Sequence, residues 1–281
     1  MIARHLADAL SDDLGQSVIV SNRPGGAGTA AVEALANADA DGYTVRLATR
    51  PAAAPEPVDA HIQQDFSRGV VPVGLIAHLP HVLVVGKHVA AEALPDLVAL
   101  AKESPGVLTC ASTGSGSTTH ILCNTLEEKA GVSWTHVPYG GGTPAITDVI
   151  GGEVDFAVVT VASALRFIKW DLVRPLAVFS DGRVAAIPSV PAIEEHGYAD
   201  AEAEGWYAIF APSGTPPHAV SRLNRAINAA YLDAELQKRM ARLGYVLPSP
   251  ENNTVDAALA FLVDDIERQA DVRETRRMKG L

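Results

Sequence analysis

LTCASTGSGSTTHILCNTLEEKAGVSWTHVPYGGGTPAITDVIGGEVDF, residues 108–156, runs twice through the same order of strand, small-residue loop and helix. An apolar run from Val107 to Ala111 ends in Ser112-Thr113-Gly114-Ser115-Gly116-Ser117-Thr118, and a helical pattern follows with Ile121, Leu122, Thr125 and Leu126. A second run, Trp134 to Val137, ends in Pro138-Tyr139-Gly140-Gly141-Gly142-Thr143. The next helix carries Pro144 in its first turn, where a missing N–H does no harm. A third strand, Val154 to Val159, closes the unit. Strand, loop and helix in repetition predict a parallel α/β sheet. Ligands of such sheets sit outside the carboxyl ends of the strands. Both ends here carry backbone N–H groups, hydroxyls and helix N-termini, the chemistry that receives an anion.

Working outward, the same grammar continues on either side. Ile2, Leu6, Leu10 and Leu14 mark a helix that is under way from the first residue, with no capping residue before it. Ser17–Ser21 reads as a strand and Asn22–Gly28 as a glycine-rich turn, followed by a helix from Thr29 to Ala38 and a strand from Tyr43 to Ala48. Gly26 and Gly28 lack the third glycine of a dinucleotide fingerprint, since position 31 is Ala31, and no phosphate-loop motif occurs. Residues 50–66 read as an irregular connection. Val70–Ala77 and Val82–Val85 are of strand length, and a helix runs from Leu94 to about Glu103. Further on come a helix Ala162–Lys169, a strand Arg174–Phe179, the apolar strand Trp206–Ala211, helices His218–Leu232 and Glu235–Leu243, and a C-terminal helix on Val255, Leu259, Leu262 and Ile266. The approaches to Leu108 and Trp206 look like crossings between lobes. The expected division is therefore residues 1–106 with 208–281 as one lobe and 107–207 as the other, joined by a two-strand hinge that suits closure on a ligand.

Composition excludes several classes. The chain has 281 residues and a net charge of −11, which disfavours nucleic acid and anionic membranes as partners. No apolar run approaches a membrane span, and Met1–Leu6 lacks the apolar core of a signal peptide. Cys110 on a strand and Cys123 on the next helix are too few for a disulfide framework; they read as two small buried apolar side chains rather than as a bridge. No nucleophile-elbow motif is present. A hydrolase using Ser115 or Ser117 with His120 is the enzymatic alternative, with His136 at the next strand end. His78 and His81 flank a Leu-Pro turn without acidic or thiol partners, so no metal site is expected. A binding protein is favoured over an enzyme. A sensory effector domain is disfavoured, since no basic helix-turn-helix accompanies the chain.

The ordered motifs resemble one family. They are Val20-Ser-Asn-Arg-Pro-Gly-Gly-Ala-Gly, Asp41-Gly-Tyr-Thr, Asp65-Phe66 with Pro72-Val73, Pro105-Gly-Val-Leu with Ala111-Ser112, His136-Val-Pro-Tyr, Gly151-Gly-Glu-Val-Asp155, Ile187-Pro-Ser-Val-Pro191 and Phe210-Ala-Pro-Ser-Gly-Thr-Pro216. In order and spacing, up to about residue 270, the chain resembles the Bug (TctC-like) extracytoplasmic solute-binding proteins of tripartite tricarboxylate transporters. The resemblance implies a two-lobed type II periplasmic-binding-protein fold and a periplasmic location. It further implies a small carboxylate ligand (a di- or tricarboxylate, an acidic amino acid or an aromatic acid) and delivery to membrane permease subunits, without catalysis or cofactor. The ligand loops it implies are Ala48-Thr49-Arg50, Ser112 with Thr113, Gly114, Ser115, Gly116, Ser117 and Thr118, then Tyr139, Gly140, Gly141 and Gly142 up to Thr143, with Asp155 near the cleft. Two departures stand out. Family members begin with a signal peptide, a first strand and a Pro-Gly-Gly loop, whereas this chain starts inside the helix after that loop, so the first strand is expected to be missing and a non-binding remnant is a rival reading. Arg50-Pro51 replaces the usual small residues, and Arg50 either clamps a ligand carboxylate or points to solvent.

Overall fold

The computed structural model describes residues 2–23, 29–49, 70–180, 182–198 and 205–265. The turn at 24–28, Arg50, the connection to residue 69 and the C-terminal tail lie outside the described residues. The elements are α1 (Ile2–Leu14), α2 (Thr29–Ala36), β1 (Arg46–Thr49), β2 (Val71–Leu79), β3 (His81–Gly86), α3 (Leu94–Glu103), β4 (Thr109–Ser112), α4 (Thr118–Ala130), β5 (Thr135–Pro138), α5 (Gly142–Gly151), β6 (Phe156–Thr160), α6 (Val161–Lys169), β7 (Val173–Phe179), β8 (Gly205–Ala211), α7 (Pro217–Ala230) and α8 (Ala234–Arg242). A last helix, α9, covers 255–265.

The strands form two sheets. One is ordered β1-β8-β2 with both pairings antiparallel, the other β5-β4-β6-β3-β7. In the second, β4 pairs parallel with β5 and β6, as the repeated strand-loop-helix grammar predicts. β3 runs antiparallel between β6 and β7, and every one of its residues is buried. That burial explains its apolar run Val82–Val85, because neither face of the strand meets water. Two apolar clusters cover the two faces of this sheet. One packs Leu94, Leu97, Leu122 and Leu126 from α3 and α4 against Phe156 and Phe179. The other packs Ile146, Val149, Ala164 and Phe167 from α5 and α6 against Val82, Val84 and Val159. Each fully buried side chain of this size stabilises by roughly 1.5–3 kcal/mol before entropic costs.

Two expectations are corrected here. β3 and α3 were assigned to the first lobe by the division at residue 106; they belong to the second sheet and its core. The first crossing is therefore at Leu79-Pro80-His81, where β2 gives way to β3, and not at Leu108. Leu79 pairs with Gly205 at the start of β8, so the two interlobe connections lie side by side. A Cβ on Gly205 would stand 3.2 Å from that of Leu79, which is why the smallest residue sits at the hinge. The two strands give the expected two-strand hinge at a different place. Second, Ser17–Ser21 runs extended but enters no sheet. Its Ile19 is 86% exposed, and a groove of about 730 Å³ separates this segment and α1 from β1.

The cysteine reading is also corrected. Cys110 on β4 and Cys123 on α4 are joined in a disulfide, with their Cα atoms 7.0 Å apart. Both are fully buried, so the expectation of burial held while the expectation of separate thiols did not. The bridge ties the end of β4 to α4 and so closes the loop that carries the candidate site.

In the first lobe, Asn253 is fully buried and holds β2 to α7. Its Oδ1 accepts from Leu75 N–H at 2.8 Å, and its Nδ2 donates to Leu75 O at 3.0 Å and to Asn228 Oδ1 at 2.9 Å. Asn224 Nδ2 donates to Val73 O at 2.7 Å and to Asn253 O at 2.9 Å. A core that buries amides must satisfy them in this way, since each unmet group costs about 1–3 kcal/mol.

Candidate functional site

β4, β5 and β6 end at Ser112, Pro138 and Thr160, side by side at one edge of the second sheet, and each is followed by a loop or turn into α4, α5 or α6. The loops touch. A Cβ on Gly114 would lie 3.5 Å from Tyr139 O, and one on Gly142 would lie 3.0 Å from Ser163. Three helix N-termini therefore converge on one region.

The first loop is locked from within. Ser112 is fully buried. Its Oγ contacts His136 Nε2 at 2.7 Å, donates to Gly114 O at 3.1 Å and accepts from Gly114 N–H at 3.1 Å. Thr119 Oγ1 accepts from Thr113 N–H at 2.8 Å and contacts the hydroxyls of Thr113 and Ser117, each at 2.9 Å. Ser117 caps α4, accepting from His120 N–H at 3.2 Å. His120 Nδ1 accepts from Gly116 N–H at 2.9 Å, and its Nε2 meets Asn124 Nδ2 at 3.2 Å. Ser112 and Ser117, expected to donate to a ligand, are thus engaged in shaping the loop. Ser115 is exposed and Thr118 half-exposed, so the loop's outward donors are these and the free N–H groups of the first helical turn.

His120 and His136 stack with ring centroids 3.8 Å apart and 15° between planes. Burial holds the His136 pKa below its ordinary value of 6.5, with Glu127 opposing in part. The folded protein keeps this ring neutral while the unfolded chain protonates it below about 6.5, so its stabilisation is full above that pH and is lost as pH falls through the folded value. Urea unfolding at pH 7.5 and 5 should show a drop for the wild type that shrinks in His136→Gln; equal drops would contradict this.

The second loop is more open. Tyr139 N–H donates to Ser112 O at 3.0 Å, which stitches the two loops together. Tyr139 Oη donates to Asp148 Oδ2 at 2.7 Å, and burial together with that carboxylate pushes the phenol pKa up to about 12. Gly141 caps α5 with φ 154° and ψ 171°, a conformation nearly restricted to glycine. The N–H groups of Gly140, Gly141, Gly142 and Thr143 have no acceptor among the described residues.

A third set of residues was missed in the sequence. Thr160 ends β6 and caps α6, accepting from Ser163 N–H at 3.3 Å, with the two hydroxyls 2.8 Å apart. The signal was available: an apolar strand ends in threonine three positions before a serine. Thr143, Thr160 and Ser163 line a cleft of about 550 Å³ whose other wall is Leu79, Tyr207 and Tyr245 of the first lobe. Thr49 pairs with Tyr207 through its backbone and so ends β1 on this side; Arg50 lies outside the described residues.

Asp155 is not in the cleft. Cys110 pairs with Phe156, so Asp155 is level with the start of β4, about 10 Å along the strand from Ser112. Its Oδ2 accepts from Thr109 N–H at 2.7 Å and from Thr109 Oγ1 at 2.8 Å, and its Oδ1 lies 3.4 Å from His88 Nε2. It staples the opposite edge of the sheet.

Among known proteins, the family described as tripartite tricarboxylate transporter family receptor (TctC) matches residues 2–277. The chain belongs to this receptor family. Members are periplasmic solute-binding proteins and not enzymes. Protein BugT of Bordetella pertussis is 34% identical over 278 residues, covering 98% of this chain and 84% of BugT. Rpa4515 of R. palustris, solved with adipate, superposes on this receptor with TM-score 0.80 at 28% identity, covering 98% of this chain and 91% of Rpa4515. MatC of Rhodopseudomonas palustris, solved with bound malate, gives TM-score 0.74 at 25% identity over 96% of this chain and 92% of MatC. The receptor has no helix among its described residues that is long and apolar enough to cross a membrane.

Proposed function

We propose that this receptor captures a small carboxylate in the cleft between its lobes and delivers it to membrane permease subunits of a tripartite transporter. The observation that carries the reading is the convergence of three helix N-termini, at Ser117, Gly141 and Thr160, beside a cleft whose opposite wall belongs to the other lobe. Unpaired N–H groups and aligned helix dipoles favour an anion there. A ligand touching both walls binds the closed form better than the open one, which drives closure about the Leu79–Gly205 hinge. Adipate in Rpa4515 and malate in MatC support a carboxylate as the ligand class. The locked Ser112 and Ser117 hydroxyls serve as scaffold, as does Tyr139, whose N–H and hydroxyl go to Ser112 O and Asp148, while Ser115, Thr118, Gly140, Gly141 and Thr143 present groups to the ligand. The hydrolase alternative has no support in the loop, because the His120 ring nitrogens engage Gly116 and Asn124.

Ser163→Asp tests the reading. Asp at the third position of a helix suits the dipole, so the ligand-free variant should unfold no more easily than wild type. The same carboxylate repels an anion in the cleft. A thermal-shift panel of small carboxylates should show stabilisation of the wild type and none of the variant. Equal stabilisation of both would place the ligand elsewhere.

A further inference from the structure

The hydrogen bonds of the first glycine loop fix where two histidines carry their protons. His120 Nδ1 accepts from Gly116 N–H at 2.9 Å. A neutral imidazole has one accepting nitrogen and one N–H, so the ring proton sits on Nε2, 3.2 Å from the Asn124 amide. His136 Nε2 meets Ser112 Oγ at 2.7 Å, and that hydroxyl already gives its proton to Gly114 O, so the His136 proton also sits on Nε2. Three features keep the ligand-free pair neutral. His120 is the third residue of α4 after the Ser117 cap, where the helix dipole opposes a cation. Burial holds the His136 pKa down. A proton on His120 Nδ1 would face the Gly116 N–H, donor against donor. The rings stack 3.8 Å apart, so a second charge would add close like-charge repulsion. Of Ser112 on β4, Asn124 and Glu127 on α4 and the Gly116 amide, which face the pair, only Glu127 is charged, and it acts on His136.

The Ser115–Gly116 peptide can answer a proton on that ring. The N–H and C=O of a trans peptide point opposite ways. While Gly116 N–H turns in to His120, Ser115 O turns out; it accepts no hydrogen bond among the described residues, and Ser115 is exposed. Rotating the peptide hands Ser115 O to the new Nδ1–H and turns Gly116 N–H outward beside the first turn of α4. Gly116, at φ 75°, has the backbone freedom for this. We propose that His120 is a proton-dependent positioning residue: its Nδ1 lone pair takes a proton from solvent as a carboxylate binds, and the turned peptide gives the anion one more N–H. The bound anion offsets the dipole that opposes the cation, so the ring binds its proton more tightly in the complex. Affinity is then greatest below the pKa of the ligand-free ring and weakens as pH rises through the pKa in the complex. It should rise as pH falls from about 8 to about 6, a range in which ordinary carboxylates stay ionised. This rests on the carboxylate reading of the site and adds its regulation by protons.

The test is calorimetric titration of a small-carboxylate panel, malate and adipate included, into wild type and His120→Asn across that pH range. Repeating it in two buffers of different ionisation heat counts the protons taken up. For a carboxylate that binds, wild-type affinity should rise by about tenfold from the upper to the lower pH, with net proton uptake. Asparagine puts an amide oxygen where His120 has Nδ1 and does not titrate, so the variant should show neither effect. A wild-type affinity that stays flat or falls toward acid, or a variant that still takes up a proton, overturns the proposal. Imidazole NMR of the wild type decides the same point without the variant: the His120 ring should titrate at higher pH with ligand than without, and an unmoved titration overturns it. Failure of the carboxylate reading itself looks different: no member of the panel binds at any pH, and this proposal falls with it. Binding that does not vary with pH keeps that reading and overturns only this one.

Discussion

Replacing Cys110 and Cys123 together by alanine should lower the unfolding free energy by about 3 kcal/mol. The bridge spans 13 residues of sequence, and closing a loop of that size removes about this much conformational freedom from the unfolded chain. The loop it closes contains Ser112 to Ser117, so the variant should also lose order where the ligand binds. Urea denaturation of the oxidised wild type and the double variant measures the first effect, and amide exchange in residues 112–120 the second. A wild-type chain that titrates with two free thiols after oxidative folding, or a variant of equal stability, would contradict the pairing. A disulfide in this position fits a protein that folds in an oxidising compartment.

The second large effect is at Gly141. Gly141→Ala should cost about 1–3 kcal/mol of stability and abolish ligand binding, while Gly140→Ala should do neither. The two residues are adjacent, and neither has a crowded Cβ position: nothing lies within 4 Å of one on Gly140, and the nearest atom to one on Gly141 is Pro144 Cδ at 3.9 Å. The difference is therefore backbone conformation alone. With φ at 154° and ψ at 171°, Gly141 occupies a region that costs an L-residue about 1–3 kcal/mol. An alanine there either keeps the strain or turns the loop, and turning the loop redirects the N–H groups of Gly140 to Thr143. Equal affinities for the two variants would show that these N–H groups do not hold the ligand.

Much of this was legible in the sequence because local signals and burial agreed. Leu94–Glu103 was readable as a helix from its apolar spacing and Pro95, and it stands at those residues. Val82–Val85 was readable as an apolar run of strand length. Its lobe was not, because a continuous apolar run says only that both faces are covered and does not say by which sheet. Ser17–Ser21 has the β-branched run of a short strand, yet a strand needs a hydrogen-bonded neighbour, and none of the described strands supplies one. The two glycine loops were found from composition. The fates of their hydroxyls were not, since Ser112 and Ser117 satisfy donors within the loop and only three-dimensional packing shows that. Asp155 was drawn to the cleft by its motif, whereas strand direction puts it at the other edge.

The central claim is that the convergent helix N-termini receive a carboxylate. Calorimetric titration of a small-carboxylate panel into wild type and Gly141→Ala tests it most directly. The account predicts saturable one-to-one binding of at least one carboxylate to the wild type and none to the variant. Binding that survives Gly141→Ala unchanged, or a wild type that gives no heat with any carboxylate, would contradict it.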